Sequence, residues 1–116
     1  MKEIDNLLRR LGIGSNYYGF QITAAAVELV LKDLDRLLFV TKELYPDVAE
    51  KCNCSVYSVE RNIRTVARVA WNRNPELLIS LAQYPMSVPP SASQFIDILA
   101  AHLARNAGGK RKAAKG

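Results

Sequence analysis

Reactive side chains are scarce in this sequence. It has one histidine, His102, and two cysteines, Cys52 and Cys54, which form a single C-x-C. A structural zinc site needs about four ligands, and no second ligand cluster accompanies that pair, so no metal site is assigned. No carboxylate or nucleophile can be placed beside His102 from spacing, so no catalytic residue is assigned either. The six glycines build no phosphate-binding loop, because LGIGSNYYG lacks the lysine and the preceding strand that a nucleotide site requires; no cofactor is expected. No apolar run nears the roughly 20 residues that cross a bilayer, and no membrane partner is expected. Unpaired thiols without a signal peptide fit a reducing cytoplasm. Strand-like alternation never lasts more than a few residues, and glycine and proline fall between helical stretches.

What remains is a helical chain. With 116 residues and 49% hydrophobic content, one core is feasible. The pattern predicts an all-α fold, a compact domain of six or seven helices, over residues 3–11, 18–33, 36–44, 46–52, 55–72, 75–83 and 91–106, the second and third either continuous or kinked. Ile22, Ala25, Ala26, Leu29 and Val30 give the second helix an apolar stripe. Trp71, Leu77, Leu78, Leu81, Phe95, Ile96, Leu99 and Leu103 are expected in the core. YPMSVPPSASQF reads as a proline-stiffened connection with Ser91 or Ser93 capping the helix after it. The domain is expected over 1–107, with 108–116, GGKRKAAKG, as a flexible basic tail adding non-specific phosphate affinity or serving only as a soluble terminus.

The most informative stretch is 44–71, LYPDVAEKCNCSVYSVERNIRTVARVAW. Pro46 suits a first helical turn, where its missing N–H would have no partner. Asn53 tolerates turn geometry, and Ser55 is a good N-cap. Val56, Val59, Ile63, Val66 and Ala70 then recur at spacings of 3, 4, 3 and 4. At about 100° per residue they share one face, while Arg61, Arg64 and Arg68, with Tyr57, fall opposite. A short helix, a polar turn and a longer helix with a buried back and a cationic front make a helix-turn-helix, here over about 45–72.

Charge is concentrated in the same place. Of a net +5, four positive charges sit on Lys110, Arg111, Lys112 and Lys115, so the body is nearly neutral. Residues 55–73 hold Arg61, Arg64, Arg68 and Arg73 against Glu60 alone. Such a stripe can supply salt-sensitive attraction to phosphates, although a plain solvated helix face has the same composition.

The stretch closely resembles the DNA-binding domain of the stage-zero sporulation response regulators, the transcription factors that commit certain Gram-positive bacteria to endospore formation. The shared elements are Leu44-Tyr45-Pro46-Asp47 with Ala49 and Lys51, the asparagine in the turn, a serine, then Val59-Glu60-Arg61, Ile63-Arg64 and Val69-Ala70-Trp71. Weaker echoes lie in Leu11-Gly12-Ile13 and in Ser91, Ser93, Phe95 and Ile96, so the resemblance spans about 4–106. It implies double-stranded DNA as partner, through a box similar to TGTCGAA. It places the base-reading residues at Glu60, Arg61 and Arg64: arginine can donate twice to guanine, and glutamate can accept from cytosine N4. Glu60 also has the i,i+4 spacing to pair with Arg64. Ser55, Tyr57, Ser58, Thr65 and Arg68 are expected at phosphates.

The resemblance further implies tandem head-to-tail copies on adjacent boxes, and contact with RNA polymerase through roughly 76–88, where Ala82 and Pro85 depart from the pattern. No receiver domain fits in this length, so either an isolated effector domain or a stand-alone relative is expected; the initial Met favours the second, and control by phosphorylation is not expected. Cys54, Val56 and Tyr57 are bulkier than the small and polar residues of the pattern. The competing class is a helical protein-interaction module that binds a response regulator or polymerase subunit without specific DNA recognition.

Overall fold

Caps and breakers in the chain set most helix ends. A computed structural model describes the backbone of residues 2–115 and the side chains of residues 3–107. Six α-helices occur among the described residues: α1 (Lys2–Arg10), α2 (Tyr18–Lys32), α3 (Tyr45–Cys52), α4 (Val56–Arg73), α5 (Pro75–Ala82) and α6 (Ala92–Lys115). No strand is present among them. Pro46 and Pro75 lie in first turns. Asn74 caps α5, its Oδ1 accepting from the Leu77 amide at 3.3 Å. Ser91, rather than Ser93, caps α6: its Oγ accepts from the Gln94 amide at 3.2 Å while Gln94 Oε1 accepts from the Ser91 amide at 3.0 Å. This reciprocal pair satisfies two amides that the helix itself cannot. The stretch expected as a basic tail, 108–116, lies outside the residues whose side chains are described.

The expected helix over 36–44 does not form as such. Asp33 leaves helical geometry (φ −153°, ψ 97°), and its carboxylate accepts from the Asp35 amide, which ends α2 and starts a 3₁₀ turn over Leu34–Phe39. Phe39 breaks that turn (φ −133°, ψ 55°), and a π turn over Val40–Leu44 runs directly into α3. In a 3₁₀ turn residues three apart eclipse, but residues four apart, such as Leu34 and Leu38, do not share a face as they do in an α-helix. Leu34, Leu38 and Phe39 consequently remain exposed, whereas Leu44 is buried.

Helix α2 is the axle of the fold. The expected stripe of Ile22, Ala25, Ala26 and Val30 is buried, but so are Phe20, Thr23 and Val27 on its other sides, because α1, α3, α4 and α6 all pack against it; Leu29 is only partly buried. Gly19 permits the closest approach to α4: a Cβ there would lie 2.5 Å from Val66 Cγ2 and 3.0 Å from the Asn62 carbonyl oxygen. Leu78, Leu81, Phe95, Ile96 and Leu99 are in the core as expected, with Trp71, Leu77 and Leu103 partly buried at its margin. Leu11-Gly12-Ile13 is a buried corner, Gly12 adopting a φ of 95° between two core residues.

Candidate nucleic-acid interface

The pair α3–α4 is joined by three residues, 53–55. Asn53 takes left-handed geometry (φ 55°, ψ 53°), and the Cys54 amide donates back to the Ala49 carbonyl at 2.9 Å. That closes α3 in the manner of a Schellman motif, with asparagine where glycine is commonest. Ser55 then opens α4, its Oγ accepting from the Ser58 amide at 3.0 Å. Two ion pairs hold α3 in place: Arg36 to Asp47 at 3.2 Å and Lys51 to Glu28 at 2.6 Å. The Lys51 ammonium holds the Glu28 carboxyl below its ordinary range.

The back of α4 is apolar and buried. Val59, Ile63, Val66, Ala67 and Ala70 are buried. Val56, expected in that stripe, is instead 39% exposed. It belongs to the first turn of α4, where packing against α2 and α3 gives out.

The front carries the expected cations in the expected places. Arg61 and Arg68 are exposed, and neither enters an ion pair among the described residues. Arg64 Nη1 donates to both Glu60 oxygens at 2.8 Å, with 43% of the arginine and 35% of the glutamate side chain exposed. The pair is a half-exposed i,i+4 contact, so it orients Arg64 with little energy, about 0.3 kcal/mol. Arg64 Nε and Nη2 point to no partner among the described residues and can still address a ligand.

The hydroxyls are more committed than the spacing suggests. Ser58 Oγ accepts from Asn62 Nδ2 at 3.1 Å, and Thr65 Oγ1 donates to the Arg61 carbonyl at 3.0 Å. Ser55 Oγ acts as acceptor in the cap and keeps its own proton to donate. Tyr57 is 69% exposed. Glu60, Arg61, Arg64 and Arg68, with Tyr57 ahead of them, thus form one continuous surface strip, flanked by Ser55, Ser58 and Thr65.

One expected contributor lies elsewhere. Arg73 turns away from the strip: its Nη1 donates to the Gly12 carbonyl at 2.7 Å, its Nη2 to the Tyr17 hydroxyl at 3.2 Å, and its guanidinium lies 5.7 Å from the Tyr17 ring centroid. It fastens the C-terminal end of α4 to the corner between α1 and α2, which leaves three arginines on the open face.

Two residues have structural roles at this site that spacing did not indicate, Tyr45 having figured only as a member of the shared Leu44-Tyr45-Pro46-Asp47 motif. Asn62 pins the first turn of α4, donating to the Ser58 carbonyl at 2.8 Å. Tyr45 is buried beneath the strip; burial raises its phenol above the ordinary value, the Glu60 carboxylate adds to that rise, and Arg64 opposes it.

His102 faces none of this: burial first, then the Arg105 and Arg10 guanidiniums, lower its imidazole pKa. Cys52 and Cys54 flank the turn as free, half-buried thiols, and burial raises that of Cys52. No helix is long and apolar enough to cross a membrane among the described residues. Residues 76–88, expected to meet a polymerase, comprise most of α5 and the loop after it, with Tyr84 and Val88 exposed. The family model described as "Sporulation initiation factor Spo0A C terminal" matches residues 4–103.

Proposed function

Because the chain belongs to the family of the sporulation initiation factor Spo0A C-terminal domain, we propose that it is a sequence-specific DNA-binding domain of a transcription regulator, acting in the cytoplasm. On this reading α4 enters the major groove as the recognition helix. Glu60, Arg61 and Arg64 read a C·G-containing box similar to TGTCGAA, Arg61 and Arg64 donating to guanine and Glu60 accepting from cytosine. Ser55 and Arg68 contact phosphates directly. Ser58 and Thr65 do so once their hydroxyls turn from their internal partners. Tandem copies on adjacent boxes, and a polymerase contact through 76–88, complete the proposal.

The observation that carries it is the division of α4. A buried valine and isoleucine back fixes the helix, while Arg61 and Arg68 stand exposed and unpaired among the described residues. Charge reversal tests it. Arg64→Glu should abolish retention of a TGTCGAA duplex and leave the helical circular dichroism spectrum intact; unchanged retention refutes the reading. Selection of bound duplexes from a random pool at two salt concentrations then yields either a sequence preference or a flat profile.

A second reading draws on Leu34, Leu38 and Phe39, an exposed apolar ledge beside α2. There the domain is a helical protein-interaction module that binds a response regulator or polymerase subunit without specific DNA contact. That reading predicts a flat selection profile and indifference to Arg64→Glu.

A further inference from the structure

The first turn of α4 presents apolar surface where the neighbouring strip is charged. Tyr57 is 69% and Val56 39% exposed, and no hydrogen bond involves the Tyr57 hydroxyl among the described residues. Counting along the helix, Tyr57 stands three, four, seven and eleven residues before Glu60, Arg61, Arg64 and Arg68. At about 100° per residue, Tyr57 falls within about 60° of each of them, near the middle of the strip rather than on its flank. Ser58 and Thr65 fall about 80–100° to one side of it, the position from which a groove-bound helix meets the phosphate walls.

A side chain in the middle of such a strip faces the floor of the groove. That floor consists of hydrogen-bond donors and acceptors with one apolar exception, the C5 methyl of thymine. A half-buried polar residue would suit any base; an aromatic ring gains most where it covers a methyl group.

We infer that Tyr57 is a specificity-determining residue that packs its ring against a thymine methyl within about three base pairs of the C·G step read by Glu60 and Arg64. The distance follows from the axial separation of Tyr57 from Glu60 and Arg64, about 4.5 and 10.5 Å, set against about 3.4 Å per base pair. The inference rests on the DNA-binding reading above, and it replaces the phosphate contact expected for Tyr57 from the sequence. Val56 lines the same turn and closes one side of the contact to water.

The test removes the methyl from the DNA and leaves the protein untouched. A TGTCGAA duplex, a scrambled duplex, and TGTCGAA duplexes with each thymine singly replaced by deoxyuridine are titrated with the wild-type chain, Tyr57→Ala and Tyr57→Phe. The expected result is one deoxyuridine position that weakens wild-type binding about fourfold, the value of burying one methyl group. Tyr57→Ala should weaken binding to the thymine duplex at least as much and lose the distinction between thymine and uracil at that position. Tyr57→Phe should behave as wild type. Exposure of Tyr57 leaves nothing in the core to collapse in either variant. If no deoxyuridine position matters while wild type still prefers TGTCGAA to the scrambled duplex, the inference is wrong and the DNA-binding reading stands. If Tyr57→Phe falls with Tyr57→Ala, the hydroxyl is the contact, and the inference is again overturned. Failure of wild type to distinguish TGTCGAA from the scrambled duplex overturns both.

Discussion

Replacing Glu60 by alanine separates two accounts of a carboxylate on a cationic face, because they predict opposite signs. In the free protein Glu60 accepts two bonds from Arg64 at 2.8 Å. Their loss costs folding only about 0.3 kcal/mol, since the pair is half exposed and screened. If Glu60 adds nothing at the groove, neither by a base contact nor by aligning Arg64, Glu60→Ala removes a charge that repels phosphate, and binding tightens for every duplex. If Glu60 accepts from cytosine N4, the variant loses about 1–3 kcal/mol of discrimination, or about 5- to 150-fold in Kd for the TGTCGAA duplex. Binding to a scrambled duplex still tightens, because the removed charge lies within a Debye length of the phosphates, about 10 Å at 0.1 M salt.

Fluorescence anisotropy at two salt concentrations, with both duplexes, measures these quantities together. The expected pattern is a crossed one: weaker for the box, stronger for the scrambled sequence. Parallel tightening on both duplexes refutes base reading by Glu60. Urea unfolding of the same variant should show a near-unchanged midpoint, which separates the binding effect from any loss of fold.

Further predictions concern the scaffold. Gly19→Ala places a methyl against Val66 and the Asn62 backbone and should cost about 1–3 kcal/mol in urea unfolding; an unchanged midpoint would mean that α2 and α4 can separate freely. Thr23 is fully buried, and its Oγ1 meets no hydrogen-bond partner among the described residues, so Thr23→Val should raise stability by about 1 kcal/mol, read as a rise in Tm. His102 has its pKa lowered in the folded chain by burial and by Arg105 and Arg10. The unfolded chain therefore binds the proton more readily, and stability falls as pH drops below the ordinary histidine value of about 6.5. His102→Gln should flatten the difference in unfolding midpoint between pH 7.5 and a pH about one unit below that value.

Local chemistry made the helix-turn-helix legible and long-range geometry hid its limits. The spacing of Val59, Ile63, Val66 and Ala70 fixes one face of α4 because helical periodicity needs no partner to be read. Asn53, Ser55, Pro46, Pro75 and Ser91 act on amides within a few residues of themselves, and the structure puts each where its chemistry suggests. Val56 kept the right period and still emerged exposed, since burial depends on where the neighbouring helices stop. Arg73 looked like a fourth member of the cationic strip; its partner, the Gly12 carbonyl, is 61 residues away in sequence, beyond any local pattern. The stretch 34–44 misled for a related reason. Its leucines are plentiful enough for a helix, but Asp33 and Phe39 redirect the backbone and leave three of the apolar side chains in solvent.

The Glu60–Arg64 contact also bears on how a nearly neutral body can present a reading surface. An arginine side chain has about 2 kcal/mol of rotamer entropy to lose when a ligand immobilises it. Arg61 and Arg68 carry that cost in full, being free among the described residues. Arg64 is already held by two bonds through one nitrogen, with its remaining donors directed outward, so part of its ordering precedes the encounter. Anchoring at both ends of α4, by Ser55 and Asn62 at one and Arg73 at the other, extends the same principle from side chain to backbone. On the proposed reading, then, Arg68 governs attraction and its salt dependence, whereas Arg61 and Arg64 govern which base pairs are accepted. Arg68→Ala should accordingly reduce the salt slope while leaving the order of preference among duplexes unchanged, and Arg64→Ala should do the reverse.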